Sequence, residues 1–431
     1  MLKKIPTKSL SLGMHLHRLE GSWMDHPFWR ARFLVEDAGV LKRLHECGVA
    51  ECWIDVSLGS DIGSAEVAAP PDEPPRQAPE LNTLALPERE VEPRQQPTTG
   101  SDGPRSGGEA SFGSELKEAA AICRRGRAAV ANLFAEARLG KAVEVEACRS
   151  LVEDVAASVE RNAGALVSLA RLKSKDDYTY MHSVAVCALM VALARQLGMD
   201  EASCREAGLA GLLHDVGKAL MPPEVLGKPG KLTEDEWRVM RSHPVRGHRL
   251  LVEGGAVPAR VLDVALHHHE RVDGKGYPHG LAGDAITEVA RMGAICDVYD
   301  AITSNRPYKA GWDPAESVAK MASWTGHFDK RLFAAFVHSL GIYPTGSVVR
   351  LESGRLAVVV EQNPGALLAP VVMAFYSVHA QMNIEPQRVN LSRAGCTDRI
   401  VAREGAAAAQ FRRLDELWAD ADTLRRIPHD A

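Results

Sequence analysis

The stretch YTYMHSVAVCALMVALARQLGM, residues 178–199, decides the fold class of this chain. It is apolar on most faces, which is typical of a helix buried inside a protein. Its most apolar part, residues 184–194, is too short to span a bilayer and is flanked by charged residues. The stretch therefore predicts a buried helix, and that helix carries one histidine, His182.

The sequence keeps a helical period on both sides of this stretch. Residues 115–140 and 145–172 show two amphipathic patterns. Thr233 and Glu236 form a capping box, which predicts a helix start, and Pro258 and the pair Asp313-Pro314 mark two more. Strands do not alternate with helices, so we predict an all-helical domain with long loops over residues 114–341.

Both flanks of the helical domain differ from it in composition. Residues 1–64 combine an aromatic-rich stretch with one helical and one alternating pattern, which predict a small α+β domain. Nine of the 24 prolines fall within residues 70–104, so residues 65–113 are predicted to be a flexible linker. Residues 342–431 contain strand patterns around Ser353 and Gly354 and end in a helical pattern, which predicts a small β-rich C-terminal appendage.

Composition and charge exclude several classes of protein. The 431 residues have a formal net charge of −5, so no overall attraction to polymeric nucleic acid or to an anionic membrane is expected. The N-terminus lacks the apolar core and cleavage site of a signal peptide, and no stretch predicts membrane insertion. The eight cysteines include no C-x-x-C pair, as expected of buried thiols in a reducing compartment. We expect a cytoplasmic protein.

Histidines and aspartates of the helical domain form a pattern suited to metal binding. Taken singly, His182 or Asp297 would more often be a buried polar group with a hydrogen bond, and His243 a surface histidine. Taken together, imidazole and carboxylate groups without thiolates suit divalent first-row metals. Their number suits two metals that share a bridging carboxylate and a bridging water. The candidate ligands are His182, His214, Asp215, His243, His268, His269 and Asp297.

This order of motifs resembles a known family. The pattern H…HD…H…HH…D is similar to that of the HD superfamily of metal-dependent phosphohydrolases. The stretches HDVGK, HHERVDGKGYP and DVYDAITSNRPYK resemble more narrowly the HD-GYP class, which degrades the bacterial second messenger cyclic di-GMP. The resemblance covers residues 115–340. In addition, GMHLHRLEGSWMDHPFWRARF resembles the small domain of unknown function that often precedes HD-GYP modules.

The resemblance implies a ligand set for two divalent ions, iron or manganese. It assigns His182, His214, Asp215 and Asp297 to one ion. The other ion shares Asp215 and adds three histidines, which are His243, His268 and His269. Some members of the HD-GYP class resemble enzymes that bind three metal ions. These members have an acidic ligand one helical turn before the first histidine. Tyr178 occupies that position here, and Asp176 and Asp177 fall on other helix faces, so we expect two ions.

The resemblance also implies residues that contact substrate. Asp215 and Lys218 are predicted to be catalytic, with Lys218 against the scissile phosphate, where it would stabilise the developing negative charge. Glycines in the loop would let its backbone approach the ligand closely. Whether Tyr277 touches a guanine or packs under the loop is left open by the sequence. The predicted substrate contacts are Lys218, Gly276, Tyr277, Pro278, Arg306 and Lys309.

The three consecutive histidines cannot all serve as ligands. Successive helical residues point about 100° apart, because a turn holds 3.6 residues. Only two can reach one metal pair, at the point where the helix ends. The family pattern selects His268 and His269, and it leaves His267 with a packing or supporting role.

The resemblance implies an enzyme that cleaves cyclic di-GMP to pGpG and on to GMP, with a metal-bridged hydroxide as the nucleophile. One alternative is a cyclic di-GMP sensor or scaffold with little turnover that contacts diguanylate cyclases. Another is a phosphohydrolase acting on a different nucleotide, which the intact GYP triplet disfavours. A homodimer is compatible with each of these three functions.

Overall fold

The computed structural model divides the chain into two compact units, Met1–Arg105 and Ser106–Ala431. The predicted linker, residues 65–113, lies outside the described residues except for its last two. The structure describes residues 2–19, 33–35, 38–46, 51–60, 112–141, 143–172, 178–228, 230–304, 311–363, 365–408, 410–411 and 413–426.

The described part of the N-terminal unit is a small antiparallel sheet with one α-helix and one short 3-10 helix. Its elements are β1 (Leu2–Pro6), the 3-10 helix (Thr7–Ser9), β2 (His15–Leu19), β3 (Phe33–Leu34), α1 (Ala38–Glu46) and β4 (Glu51–Asp55). The strand order is β1-β4-β2-β3. Its core contains Ile5, Leu16, Leu44 and Ile54, each at most 2% exposed. The predicted α+β class of this region is confirmed.

The second unit begins with the helices that form the main domain. They are α2 (Phe112–Arg138), α3 (Glu146–Arg171), α4 (Tyr178–Gln196), α5 (Glu201–Leu213), α6 (Pro223–Leu226), α7 (Glu234–Met240), α8 (His243–Glu253), α9 (Ala259–His267), α10 (Glu288–Thr303), α11 (Pro314–Ala322) and α12 (Lys330–Leu340). A short 3-10 helix, Val216–Leu220, follows α5. The predicted capping box of Thr233 and Glu236 is present at the start of α7.

Helix α4 is the buried helix that the sequence predicts. Every residue from Met181 to Ala194 is at most 4% exposed. The helix packs against α2, α3, α5, α10 and α12, so it has helical neighbours on several sides. At Gly211 of α5, a Cβ atom would lie 2.8 Å from the carbonyl oxygen of Val186. A glycine there allows the close approach of α4 and α5 that holds His182 beside the end of α5.

A five-stranded antiparallel sheet follows the helices. Its strands are β5 (Val348–Leu351), β6 (Arg355–Glu361), β7 (Val371–Ser377), β8 (Met382–Asn390) and β9 (Ile400–Arg403), in the order β8-β7-β6-β5-β9. The hairpin around Ser353 and Gly354 and the third strand were predicted. Val348, Val358 and Trp418 share one hydrophobic core with the helices. The β-rich appendage therefore belongs to the same compact unit as the helical domain.

The helical pattern at the C-terminus forms three short pieces instead of one helix. They are α13 (Gly405–Ala408), a 3-10 helix (Leu414–Leu417) and α14 (Ala421–Arg426). Arg413 interrupts the pattern with a φ of +64°, a left-handed conformation that cannot continue a right-handed helix.

The apolar helix α4 raises the question whether any helix of this chain could span a membrane. None of the helices in the described part of the chain is both long and apolar enough to cross a bilayer.

Candidate metal centre

The structure brings all seven predicted ligands into one buried cluster. They come from the helices α4, α8 and α10 and from the ends of α5 and α9. Six of them are at most 6% exposed, and the side chain of His269 is 21% exposed. In chain order these candidate ligands are His182, His214, Asp215, His243, His268, His269 and Asp297.

Helix ends aim four of these side chains at the cluster. Helix α5 ends at Leu213, so His214 and Asp215 stand where the chain turns into the 3-10 helix. Helix α9 ends at His267, and His268 and His269 follow it. In a continuous helix the side chains of adjacent residues point about 100° apart, but this constraint does not apply where the helix ends. They can therefore point into the same site.

A glycine in the HDVGK stretch brings α8 to the cluster. A Cβ atom on Gly217 would lie 2.0 Å from the carbonyl oxygen of His243 and 2.6 Å from the nitrogen of Gly247. Only a glycine fits this approach of the 3-10 helix to α8. The contact places the His243 imidazole next to Asp215, although the two residues are distant in the sequence.

The first half of the cluster, here called the carboxylate pocket, contains His182, His214, Asp215 and Asp297. Nε2 of His182 lies 3.4 Å from Oδ2 of Asp215 and 3.0 Å from Oδ1 of Asp297. Nε2 of His214 lies 3.3 Å from Oδ2 of Asp215 and 3.8 Å from Oδ1 of Asp297. Two imidazoles and two carboxylates thus converge on one point.

The second half, here called the histidine pocket, contains Asp215, His243, His268 and His269, whose ligand atoms lie within 4.8 Å of one another. Oδ1 of Asp215 is 3.2 Å from Nε2 of His243 and 3.8 Å from Nε2 of His268. The two Nε2 atoms are 3.4 Å apart. Asp215 therefore turns one carboxylate oxygen to each pocket, which is the placement of a bridging ligand.

Hydrogen bonds fix the orientation of four imidazoles. Each donates its Nδ1–H away from the cluster, which leaves Nε2 facing inward, as metal-binding histidines commonly do. The acceptors are the Asp300 carboxylate for His182 at 2.6 Å and the carbonyl oxygens of Gly211 for His214 at 2.8 Å, Met240 for His243 at 2.8 Å and Val264 for His268 at 2.9 Å.

The two pockets differ in the pKa values of their histidines. Burial opposes a charge on His182, but hydrogen bonds to Asp215, Asp297 and Asp300 outweigh it and raise the pKa of His182 to about 10. In the histidine pocket, burial and the neighbouring His269 hold the pKa of His268 well below its usual range. Burial likewise lowers the pKa of His269 to about 3. The carboxylate pocket thus favours a proton on His182, whereas His268 and His269 of the histidine pocket stay neutral.

Both aspartates of the cluster remain ionised despite their burial. Burial alone would raise the pKa of Asp215, but the charges of Lys218 and His214 hold it well below the usual range. The nearby imidazoles of His182 and His214 likewise hold the pKa of Asp297 well below the usual range. The two carboxylates are therefore in the deprotonated form in which a carboxylate binds a metal.

These residues fit divalent cations. Nε2 of His214 and Oδ1 of Asp215 are buried without a hydrogen-bond partner, a costly arrangement unless something else satisfies them. Nε2 of His268 carries a lone pair that faces Nε2 of His243 and Oδ1 of Asp215. Such groups repel each other in the absence of a cation between them. Imidazole and carboxylate donors without thiolates suit iron, manganese or zinc better than softer ions.

Lys218 lies at the edge of the cluster. Its Nζ donates to Oδ2 of Asp215 at 2.5 Å, and its side chain is 21% exposed. One turn of the 3-10 helix thus joins the shared carboxylate to a cation that solvent can reach. A phosphate group at the mouth of the site could therefore contact the ammonium group.

Two supporting acids were missed by the sequence analysis. Asp300 holds His182 and stands one turn after Asp297, so the spacing D-x-x-D was an available signal. Glu270 is 2% exposed, and its carboxylate accepts N–H groups of the three residues after the GYP triplet at 2.7, 3.1 and 3.0 Å. Glu270 follows the two histidine ligands directly, and nothing in its spacing marked this role.

The GYP triplet forms a wall of the site. A Cβ atom on Gly276 would lie 2.4 Å from Cα of Glu270, so this glycine permits packing of the loop on its own chain. The sequence analysis expected glycine here so that the backbone could approach a ligand. In the structure, Gly276 is required by its close packing against the backbone of Glu270. The Tyr277 ring stacks on His269, with centroids 4.6 Å apart and planes at 26°. Pro278 follows at the loop exit and is partly buried.

The structure does not describe the side chains of several residues that the sequence analysis discussed. Arg306 and Lys309 lie outside the described residues, as do Asp176 and Asp177, and the structure does not describe the side chain of Tyr178. The prediction of two ions over three therefore stays a prediction.

His267 points away from the cluster. Its Nδ1 lies 2.7 Å from Oδ1 of Asp263, and its Nε2 lies 3.1 Å from Nδ1 of His279. The predicted packing role agrees with these contacts.

Two family models match the chain. A model described as an HD domain matches residues 152–332. A model described as a domain of unknown function (DUF3391) matches residues 2–148, which extends beyond the predicted N-terminal domain into α3. The HD-type helical fold expected from the sequence is confirmed.

Relatives with assigned names are similar over different lengths. A cyclic di-GMP phosphodiesterase of Pseudomonas aeruginosa is 51% identical over 419 residues, 97% of this chain and 96% of the relative. A cyclic di-GMP phosphodiesterase response regulator of Xanthomonas campestris is 38% identical over 49% of this chain and 57% of its own length. A 3'3'-cGAMP-specific phosphodiesterase of Vibrio cholerae is 37% identical over 38% of this chain and 39% of its own length.

Proposed function

We propose that this chain, which belongs to the HD-GYP family of HD-domain phosphodiesterases, hydrolyses cyclic di-GMP. The observation that carries the proposal is the shared position of Asp215, with one oxygen 3.3 Å from His214 and the other 3.2 Å from His243. Such a carboxylate suits two cations acting on one phosphodiester. The relative from Pseudomonas aeruginosa, similar over almost the whole chain, supports cyclic di-GMP as the substrate.

In this proposal each pocket holds one divalent ion, iron or manganese. His182, His214 and Asp297 hold one, His243, His268 and His269 hold the other, and Asp215 serves both. Bound divalent ions neutralise charge on a phosphodiester and lower the pKa of water that would attack it. The donor set of imidazoles and carboxylates agrees with this choice of metals.

The residues around the pockets bind and orient the substrate. Lys218 has a partly exposed ammonium group beside Asp215, so it can donate to an oxygen of the scissile phosphate as negative charge develops there. Its bond to Asp215 also helps to keep that carboxylate ionised. Tyr277 and His269 form an aromatic wall next to the pockets. Arg306 and Lys309 are proposed as further cationic contacts, on the strength of the NRPYK stretch alone.

Cleavage of a cyclic dinucleotide has two stages. Hydrolysis of one phosphodiester opens the ring and gives pGpG, and hydrolysis of the remaining phosphodiester gives two GMP molecules. We propose that the same site performs both, because its mouth, at Lys218 and His269, is open to solvent. The site would work in the cytoplasm, where such nucleotides are made and consumed. Residues 1–64 and 342–431 would be accessory domains.

The proposal is tested with the full chain reconstituted anaerobically with Mn(II) or Fe(II). The protein is incubated with cyclic di-GMP, and the products are separated by chromatography. We expect pGpG to appear first and GMP later. Binding of cyclic di-GMP without any product under either metal would contradict the proposal and favour a sensor or scaffold that contacts diguanylate cyclases.

A second substrate deserves a parallel assay. The similarity to a 3'3'-cGAMP-specific phosphodiesterase over 38% of this chain favours 3'3'-cGAMP as the alternative substrate. Equal amounts of the two cyclic dinucleotides in one reaction give the ratio of their kcat/KM values directly. We expect cyclic di-GMP to be consumed first, and the reverse order would replace the proposed substrate.

A further inference from the structure

We infer that Arg241, seated on the ring of Tyr277, binds a second phosphate of the substrate, away from the one that is cleaved. The inference rests on the proposed function and extends it to a residue that neither the sequence motifs nor the resemblance singles out. Arg241 follows α7 and precedes the ligand His243 by two residues. It is therefore tied by the backbone to the histidine pocket.

Three side chains form a layer at the edge of the site. His269 stacks on Tyr277, and the guanidinium carbon of Arg241 lies 4.9 Å from the centroid of the same tyrosine ring. This is the distance of a cation–π contact. Tyr277 thus acts through its ring, which links a metal ligand to an arginine.

Arg241 is available to an anion. It is exposed, and within the described part of the chain no carboxylate forms an ion pair with it. Arg238, three residues earlier, differs in this respect because its Nη1 is paired with Asp235 at 2.7 Å. Lys218, the other described cation beside the cluster, is already bound to Asp215. The guanidinium group of Arg241 therefore has N–H donors available for an anion at the site.

The chemistry of a cyclic dinucleotide supplies the matching anion. It carries two phosphodiesters, and when one lies at the metal pockets the other still has a negative charge. A guanidinium group can bind a phosphate through two parallel hydrogen bonds. Its planar shape also suits stacking on an aromatic ring while its donors face outward. The seat on Tyr277 would hold Arg241 in position before the substrate arrives.

The test compares Arg241→Ala with Arg238→Ala, a matched exposed arginine of the same segment, in the full metal-loaded chain. Two substrates are used: cyclic di-GMP, with two phosphates, and bis(p-nitrophenyl) phosphate, with one. We expect Arg241→Ala to raise KM for cyclic di-GMP by roughly 10- to 100-fold, the effect of one charged hydrogen-bond pair. Turnover of the one-phosphate ester should stay as in the wild type, and Arg238→Ala should leave both substrates unaffected.

A second variant tests whether the contact with the Tyr277 ring holds Arg241 in position. Tyr277→Leu should raise KM for cyclic di-GMP in the same direction, and it should raise KM less in the Arg241→Ala background than in the wild type. Unchanged KM for cyclic di-GMP in Arg241→Ala would overturn the inference. Equal losses on both substrates would also overturn it, because Arg241 would then support the metal pockets. A wild-type chain that fails to cleave cyclic di-GMP would overturn the proposed function and this inference with it.

Discussion

The carboxylate pocket and the histidine pocket share Asp215 but are built differently. In the carboxylate pocket two carboxylates face two imidazoles, and the pKa of His182 is raised to about 10. In the histidine pocket a single carboxylate faces three imidazoles, and the pKa of His269 is lowered to about 3. In the absence of metal, a proton on His182 offsets carboxylate charge in the first pocket, whereas His268 and His269 of the second pocket stay neutral.

The supports of the two pockets also differ. His182 is oriented by the carboxylate of Asp300, whereas His243 and His268 are oriented by backbone carbonyl oxygens. A carboxylate support makes an imidazole a stronger ligand. The carboxylate pocket should therefore bind a divalent cation more tightly than the histidine pocket, at a pH high enough to remove its protons.

The largest effect is expected at the residue common to both pockets. Asp215→Ala removes a ligand from each, so turnover of cyclic di-GMP should fall far more than the roughly 10- to 100-fold loss typical for residues that only orient a ligand. Steady-state assays with Mn(II) measure it. His267→Ala, next to the ligands but turned away from them, is the control and should stay within about twofold of the wild type. Full activity in Asp215→Ala would contradict the assignment of the site.

Removing one pocket at a time should separate the ions. Asp297→Ala damages the carboxylate pocket and His268→Ala the histidine pocket, so each variant should retain one ion per chain after dialysis. Elemental analysis by mass spectrometry gives the count. If either variant lost both ions, the two pockets would form a single unit instead of two sites that share a ligand.

A smaller effect is expected at Asp300, which supports only the carboxylate pocket. Asp300→Asn keeps the shape of the side chain but removes its charge, so Mn(II) affinity of that pocket should weaken by roughly 10- to 100-fold. Titration with Mn(II) should show one weakened site and one unchanged site. Equal weakening of both sites would remove the distinction between the pockets.

The smallest effect on the pockets is expected at Glu270, which supports the GYP loop instead of a ligand. Glu270→Ala leaves three loop N–H groups without their acceptor, so the free energy of unfolding should fall by about 1–3 kcal/mol. Metal content should remain that of the wild type, while KM for cyclic di-GMP rises. Chemical denaturation and elemental analysis check the two halves of this expectation, and a loss of metal would contradict it.

Much of this architecture could be predicted from local patterns. The apolar stretch around His182 indicated a buried helix, and α4 is that helix. The adjacent residues His268 and His269 were expected at a helix end, where both side chains can turn inward. These features depend on residues close together in the sequence, so periodicity and motif spacing were sufficient.

Other features depend on contacts between distant segments. Asp300 supports a histidine 118 positions earlier, and Arg241 meets Tyr277 across two different loops. No local pattern distinguishes these residues from ordinary surface or core polar groups. Strand β8 was missed for another reason: it is exposed along most of its length, so it lacks the alternation of apolar and polar residues that marks a strand.

In the proposed site, Asp215 serves two metal ions at once. The most direct test is the electron paramagnetic resonance spectrum of the full chain loaded with Mn(II) under anaerobic conditions. Two ions bridged by one carboxylate should give an exchange-coupled signal, and Asp215→Ala should lose it. A wild-type spectrum that contains only isolated Mn(II), at a metal content of two ions per chain, would contradict the claim.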